Sequence, residues 1–150
     1  MAEQHKILPP VYLLLSLLVM TALHSFFPIK IIFSHPVNLI GAVFVVAGLF
    51  STIWAAGTFR RLGTPIRPFE PSTTLVTKGL YKITRNPMYL GMLFILIGSA
   101  ILFGSITSFI PIPFFVWQVQ RKFIRPEEAF LENIFGAEYL KYKARVRRWL

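Results

Sequence analysis

The sequence has 150 residues, of which 55% are hydrophobic and 15% charged, and its formal net charge is +10. The absence of cysteine excludes disulfides, thiolate nucleophiles and cysteine-based metal sites. Several long segments contain no ionisable residue, which argues against a nucleic-acid-binding domain despite the basic charge. The composition predicts one compact unit, an all-α integral membrane protein with basic residues beside its apolar spans.

Four apolar segments are long enough to cross a bilayer as helices, which takes roughly 20 residues each. They cover about 7–27, 37–59, 87–103 and 106–123. The first has a thin basic region, Lys6 alone, and no clean cleavage site, so it is predicted to be a span rather than a signal peptide. A tight hairpin at Gly104 is expected before the fourth segment, and Pro111 and Pro113 are expected to kink or loosen its start.

Small residues recur every seven positions on the second and third segments. They are Gly41, Gly48 and Ala55 on the second, and Gly91 and Gly98 on the third. Small residues at this spacing allow helix backbones to approach closely. This pattern predicts that the two helices pack against each other.

Every lysine and arginine except Lys30 falls on one side of these four segments. Because basic residues are enriched on the cytosolic side, both termini are predicted to be cytosolic. The outer loops, 28–36 and the Gly104 hairpin, are too small for a site. The loop 63–86, which contains Pro65, Pro68 and Pro71, is predicted to be an ordered cytosolic connector.

The end of the chain is predicted to form two cytosolic amphipathic helices. Pro126 suits a first helical position, and Glu127 and Glu128 suit the positive end of the helix dipole. A second helix is expected after Gly136, lying against anionic headgroups. Its apolar face is predicted to carry four residues: Tyr139, Tyr142, Val146 and Trp149.

Several kinds of chemistry find no support in the sequence. His5, His24 and His35 lack metal-ligand spacing, so no metal is expected. No nucleotide-binding or nucleophile-elbow motif is present. None of the six glutamates lies within an apolar segment, which weighs against an ion-coupled transporter.

The remaining polar groups form two sets at the cytosolic ends of the last two segments. One runs from Thr77 to Gly91, and the other from Arg125 to Glu128. Individually, each residue has an ordinary explanation as a topology anchor, a membrane-interface aromatic or a helix start. Because the two segments form a hairpin, the sets are predicted to lie side by side, and their joint occurrence favours a functional site.

The second half of the chain combines short motifs in a fixed order. They are Leu75-Val76-Thr77-x-Gly79-x-Tyr81-x-x-x-Arg85-Asn86-Pro87-x-Tyr89-x-Gly91, an apolar hairpin, Glu127-Glu128, and Phe135-Gly136-x-x-Tyr139-x-x-Tyr142. This combination, over about 75–149, resembles the isoprenylcysteine carboxyl methyltransferases. It is also similar to the wider group of integral-membrane methyltransferases that includes phospholipid N-methyltransferases.

The resemblance implies an S-adenosylmethionine-dependent enzyme with a cytosolic-side cofactor pocket. It implies that Arg125 lies near a reacting carboxylate, with Glu128 as a second catalytic residue. Asn86 stands where the family usually has histidine, so no imidazole role is expected. The implied cofactor-binding residues are Gly79, Tyr81, Arg85, Asn86, Pro87 and Tyr89 on one wall, and Glu127, Glu128, Tyr139 and Tyr142 on the other.

The implied acceptor is lipid-like or prenylated and reaches the site from the bilayer. A carboxylate acceptor needs only an arginine to orient it, as in an isoprenylcysteine O-methyltransferase. An amine acceptor, as in a phospholipid N-methyltransferase, needs a proton acceptor, for which Glu127 and Glu128 are the candidates. Outside enzymes, the alternative is a small four-helix transporter or membrane binding module.

Overall fold

A computed structural model describes residues 8–64 and 74–150, and this part of the chain is helical. Lys6 and the three prolines of the predicted connector, at positions 65, 68 and 71, lie outside the described residues. Short 3₁₀ turns precede α2, α3 and α4, and a π-helical turn, Gln120–Ile124, joins α4 to α5. The α-helices are α1 (Pro9–Phe26), α2 (Ile40–Arg61), α3 (Pro87–Phe103), α4 (Pro111–Val119), α5 (Arg125–Phe135) and α6 (Ala137–Arg145).

Two of these helices have the length and composition of membrane spans. They are α1 and the segment Val37–Arg61, which contains α2, whereas α3 is apolar but shorter, with 17 residues. The fourth predicted segment is not a single α-helix, because α4 has nine residues and continues through the π turn into α5. Pro111 is the first residue of α4, where the missing N–H leaves no helical hydrogen bond unmade.

The prediction that α2 and α3 pack closely is confirmed, because glycine faces glycine at two levels of their contact. Gly41 lies against Gly98, and Gly48 lies against Gly91. A methyl group added at any of the four would collide with the backbone carbonyl of its partner. The small residues therefore set the distance between these helices.

The end of the bundle at the Gly104 turn is tied together by backbone and side-chain hydrogen bonds. Gly104, with φ +75°, makes the turn after α3, and its carbonyl accepts from the N–H of Ile32 at 2.7 Å. His24, near the end of α1, is 3.0 Å from the hydroxyl of buried Ser105. These bonds hold α1, the loop before α2 and the α3–α4 hairpin together at the same end of the bundle.

The segment after Gly136 differs from the prediction of a single amphipathic helix that extends through Trp149. Helix α6 ends at Arg145, and Val146 is extended, with φ −119° and ψ 129°. Its neighbour Arg147 pairs in parallel with Thr84, and the Arg147 carbonyl accepts the N–H of Arg85 at 2.9 Å. Because these bonds to a distant loop draw the chain out of the helix, Val146 and Trp149 do not extend the α6 face.

Candidate active site

The two predicted sets of polar residues meet at the end of the bundle opposite the Gly104 hairpin. The 3₁₀ turn Gly79–Lys82 and the loop to Asn86 lead into α3, and they are covered by α5, α6 and the segment 146–149. Tyr139 and Tyr142 of α6 are buried, as are Tyr81 and Tyr89. The predicted side-by-side arrangement of the sets is therefore present in the fold.

The first wall is held in place by aromatic packing around Gly79 and Tyr81. Gly79 has φ +62°, and the Trp54 ring occupies the position that a Cβ would take. The Tyr81 ring packs edge-on against Phe59 at 5.7 Å, and the Tyr81 carbonyl accepts the hydroxyl of Tyr142 at 2.7 Å. Burial raises the pKa of Tyr142, so its hydroxyl keeps the proton that it donates.

Glu128 is the centre of an ion-pair network. The Arg148 guanidinium donates to both carboxylate oxygens of Glu128 in a bidentate pair, with Nε at 2.9 Å from Oε1 and Nη2 at 2.7 Å from Oε2. Arg85 Nη1 lies 3.1 Å from the same Oε1. Forked arginine–carboxylate pairs of this kind are among the strongest hydrogen bonds in proteins. Both carboxylate oxygens of Glu128 are thus bound by arginine side chains.

Arg85 joins this network to the aromatic wall. Its Nη1 also donates to the hydroxyl of Tyr139 at 3.3 Å, and Tyr139 is 1% exposed. Burial is the main cause that raises the pKa of Tyr139. Within residues 8–64 and 74–150, the buried Nε–H of Arg85 has no hydrogen-bond acceptor. A buried donor without an acceptor is costly, so an anionic ligand that reached this N–H would supply the missing acceptor.

Glu127 lies beside Glu128 but in a different electrostatic environment. Its Oε2 accepts the hydroxyl of Tyr89 at 3.2 Å, and in the described part of the chain no lysine or arginine pairs with it. Burial among protein atoms, and to a lesser degree the charge of Glu128, raise the pKa of Glu127 to about 7, although the Tyr89 hydrogen bond opposes the shift. Glu127 is therefore the carboxylate of the site that can still bind a cation or a proton.

Asn86 and Pro87 serve the architecture of the first wall. The Asn86 amide donates to the Arg148 carbonyl at 2.9 Å, and its backbone N–H donates to the Thr84 hydroxyl at 3.1 Å. Pro87 begins α3, and its carbonyl accepts the hydroxyl of Ser51 from α2 at 2.8 Å. The Asn86 side chain is thus used to anchor the segment 146–149.

Arg125 lies apart from this network. It opens α5 with an exposed side chain, and it makes no hydrogen bond or ion pair within the described residues. Arg148, which pairs with Glu128 as Arg85 does, is not among the site residues predicted from the sequence, and its position falls in the helix expected to face lipid headgroups. Its only sequence signal is membership of the basic cluster 145–148, which does not distinguish a headgroup contact from an ion pair.

An apolar groove of about 470 Å³ lies between α1 and α4. At the end of the groove formed by Tyr12, the Tyr12 ring packs edge-on against Phe123 at 5.7 Å, and Phe123 stacks on Tyr89 at 6.4 Å. Tyr89 in turn bonds Glu127. The groove is lined by Tyr12, Leu15, Ser16, Val19, Ile110, Pro111, Phe114 and Phe115.

Comparison with known proteins relates the chain to membrane methyltransferases. A family model described as phospholipid methyltransferase matches residues 37–138. A probable protein-S-isoprenylcysteine O-methyltransferase of Oryza sativa subsp. indica is 30% identical over 116 residues, which are 76% of this chain and 61% of the relative. The protein-S-isoprenylcysteine O-methyltransferase of Saccharomyces cerevisiae is 31% identical over 127 residues, 80% of this chain and 53% of the relative. The chain thus spans less than two thirds of either relative.

Proposed function

The chain belongs to the phospholipid methyltransferase family, and from this premise we propose that it is an S-adenosylmethionine-dependent methyltransferase of the membrane. Its proposed acceptor is a lipid-like or prenylated molecule that is methylated at the cytosolic face. The observation that carries the proposal is that Glu127, a carboxylate without a cationic partner in the described chain, lies beside a cluster of arginines around Glu128. Such a site presents opposite charges a short distance apart.

The residues present fit the charges of the proposed cofactor. S-adenosylmethionine carries an ammonium, a sulfonium and a carboxylate. Glu127, which has no cationic partner in the described chain, would hold the ammonium, and the open Nε–H of Arg85 would hold the carboxylate. The buried tyrosines and Gly79 would surround the rest of the molecule.

The protein's proposed contribution to the reaction is positioning and the exclusion of water. When bound, the cofactor would supply a methyl group that is bonded to a good leaving group, the sulfonium sulfur. The hydrogen bonds between Tyr142 and Tyr81, and between Arg85 and Tyr139, hold the two walls of the site together. Holding both reactants in a fixed geometry supplies a large part of the rate acceleration in group transfer.

The groove between α1 and α4 supports a lipid-like acceptor. It is open to the side of the bundle, and its lining is almost wholly apolar, as a hydrocarbon chain requires. The aromatic contacts from Tyr12 through Phe123 to Tyr89 connect the Tyr12 end of the groove with Glu127. In this proposal the acceptor chain lies in the groove with its head towards the charged cluster.

The names of the similar proteins favour a carboxylate as the methylated group. In this version of the proposal, the enzyme is an isoprenylcysteine carboxyl O-methyltransferase-like protein. Arg125 would orient the acceptor carboxylate with its planar fork, and Glu128 would support the cluster that holds the cofactor. Arg125 is exposed, so it is free to meet an acceptor that arrives from the membrane surface.

A second candidate, phospholipid N-methylation, is favoured by one specific observation. An amine acceptor must lose a proton, and Glu127, with a pKa of about 7, is suited to take one near neutral pH. Glu128 is not, because two arginines already occupy its oxygens. In this version Glu127 serves the acceptor rather than the cofactor.

The proposed topology has four spans with the charged cluster on the cytosolic side. The run from Ile106 through Ile124, which includes the 3₁₀ turn before α4, would be the fourth crossing. The bonds of His24 with Ser105 at one end, and of Tyr12 with Lys122 at the other, fit neighbouring helices that cross together. The positions of the lysines and arginines set the direction.

The test is methyl transfer by the purified protein in lipid nanodiscs with radiolabelled S-adenosylmethionine. One reaction receives a farnesylcysteine analogue, a second receives a phospholipid with an amine headgroup, and a third receives neither. A labelled ester supports O-methylation, and base-stable labelled lipid supports N-methylation. Absence of both products and of S-adenosylhomocysteine binding would leave the transporter or binding module as the better reading.

A further inference from the structure

Arg148 is anchored by its own backbone. Its carbonyl accepts the Asn86 amide at 2.9 Å and the Thr84 hydroxyl at 3.2 Å, while the neighbouring Arg147 carbonyl accepts the N–H of Arg85. The next residue, Trp149, donates its indole N–H to Gln120 at 3.1 Å. Since these bonds do not involve the Arg148 guanidinium, they fix the position from which that side chain reaches Glu128.

The guanidinium of Arg148 controls how Glu128 is oriented. Its two donors occupy both oxygens of Glu128, whereas Arg85 reaches Oε1 alone. A planar fork fixes the rotation of the carboxylate, which a single donor does not. Glu128 Oε1 and the Tyr139 hydroxyl are the two partners of Arg85 Nη1, so the orientation of Glu128 bears on where the Arg85 guanidinium and its unpaired Nε–H lie.

We propose that Arg148 is a positioning residue of the active site, which acts through Glu128 to hold Arg85 ready for the carboxylate of the bound cofactor. This inference rests on the proposed function. It assigns Arg148 no contact with the methyl group or the acceptor. It gives the two neighbouring glutamates different roles, because Glu128 supports the arginines while Glu127 remains available to ligands.

The competing explanation is that Arg148 only fastens the segment 146–149 to the bundle. The two explanations differ in what they predict for ligands with and without an amino-acid group. A fastening role affects the whole site, and therefore weakens every nucleoside ligand alike. A positioning role affects only ligands that present a carboxylate to Arg85.

The experiment measures binding of S-adenosylhomocysteine and of methylthioadenosine, which lacks the amino-acid group, by calorimetry in nanodiscs. The proteins are the full chain and its Arg148→Ala and Arg148→Lys variants. Arg147→Ala is the matched control, because the structure uses only the Arg147 backbone carbonyl. Thermal unfolding shows that each variant is folded, and Arg148→Lys keeps the charge should the alanine variant fail to fold.

We expect both Arg148 variants to bind S-adenosylhomocysteine about 10- to 100-fold more weakly, because lysine lacks the fork. Methylthioadenosine should bind equally to all four proteins. Equal weakening of both ligands, or full affinity in Arg148→Lys, would overturn the inference and leave the proposed function standing. If the unsubstituted protein binds neither nucleoside, the proposed function fails together with it.

Discussion

The hydroxyl of Tyr89, in the first turn of α3, donates a hydrogen bond to Glu127 of α5 at 3.2 Å. This bond joins the two motif sets that are 38 residues apart in sequence. The donor is a neutral hydroxyl, and the acceptor, Glu127, is an acid whose pKa burial raises to about 7. The adjacent Glu128 is instead bound by two guanidinium groups. Two consecutive glutamates thus have separate roles, one open to a ligand and one committed to the framework.

The open carboxyl should make cofactor binding pH-dependent. With a pKa of about 7, Glu127 is neutral below neutral pH and cannot pair with an ammonium. We expect the affinity for S-adenosylhomocysteine to fall roughly tenfold from about pH 8 to about pH 6, because the ionised fraction falls. Calorimetry across this range measures the effect. Glu127→Gln should flatten the profile, and a steep profile in that variant would assign the pH dependence to another group.

The same carboxyl should lower stability at higher pH. Its pKa is raised in the folded protein from 4.5 to about 7, so the folded state binds a proton that the unfolded chain releases. The stabilisation from this proton is complete at low pH and is lost as pH rises through 7. In the absence of ligand, Glu127→Gln should therefore unfold at a higher temperature than the unsubstituted protein at about pH 8, with a smaller difference at about pH 5.

Glu128→Gln should destabilise the fold far more than the change at Glu127. It leaves Arg85 and Arg148 without their carboxylate, and removing one partner of a buried ion pair typically costs about 3–5 kcal/mol. Denaturant titration in micelles measures the free energy of unfolding. The control is Glu132→Gln, whose exposed pair with Lys143 is expected to contribute at most about 1 kcal/mol. Equal losses in the two variants would remove Glu128 from the framework.

The sequence predicted those parts of the molecule that depend on local pattern. The segment 87–103 matches α3, because its apolar run is bounded by Pro87 and by Gly104 with φ +75°. The heptad spacing of Gly41 and Gly48 likewise predicted their helix contact. Local pattern could not place Arg148, because the extended backbone after Arg145 arises from bonds to the distant loop at Thr84.

The chemical identity of neighbouring residues also limited the prediction. Glu127 and Glu128 have the same side chain, and successive helical residues differ by about 100° around the axis. Which of them faces the arginines depends on how α5 is rotated against α3. The π turn before α5, in which Phe123 and Ile124 are buried, shifts the helical phase, and sequence periodicity does not foresee such a turn.

Arg125→Lys should separate the two proposed acceptors. Because Arg125 is exposed and has no polar partner in the described chain, the change should alter the free energy of unfolding by less than about 0.5 kcal/mol and spare cofactor affinity. Methyl transfer to a carboxylate acceptor should fall about 10- to 100-fold with the loss of the fork. Transfer to an amine should not change. Arg121→Lys, on another exposed arginine, is the control, and unchanged ester formation in Arg125→Lys would exclude this role.

Gly48→Ala should weaken the contact between α2 and α3. The added methyl group would collide with the backbone carbonyl of Gly91, so the helices must separate, at a cost of about 1–3 kcal/mol. Gly57→Ala is a matched control on the same helix, because among the described residues no atom beyond its own stretch of helix lies within 4 Å of its Cβ position. Alanine there should be neutral or slightly stabilising, since glycine is the poorer helix former. Thermal unfolding in one detergent compares the two variants.

Single cysteines in this cysteine-free chain can test the proposed topology in intact cells with a membrane-impermeant thiol reagent. Lys30→Cys and Ile106→Cys should react from outside, and Lys78→Cys and Lys141→Cys only after permeabilisation. The Ile106 N–H donates to the Lys30 carbonyl at 2.9 Å, so these two positions must share a side whatever the orientation. Labelling of the pair only after permeabilisation would invert the topology. Labelling of one without the other from outside would contradict the helix arrangement itself, and exterior labelling at position 78 or 141 would remove the cytosolic placement of the active site.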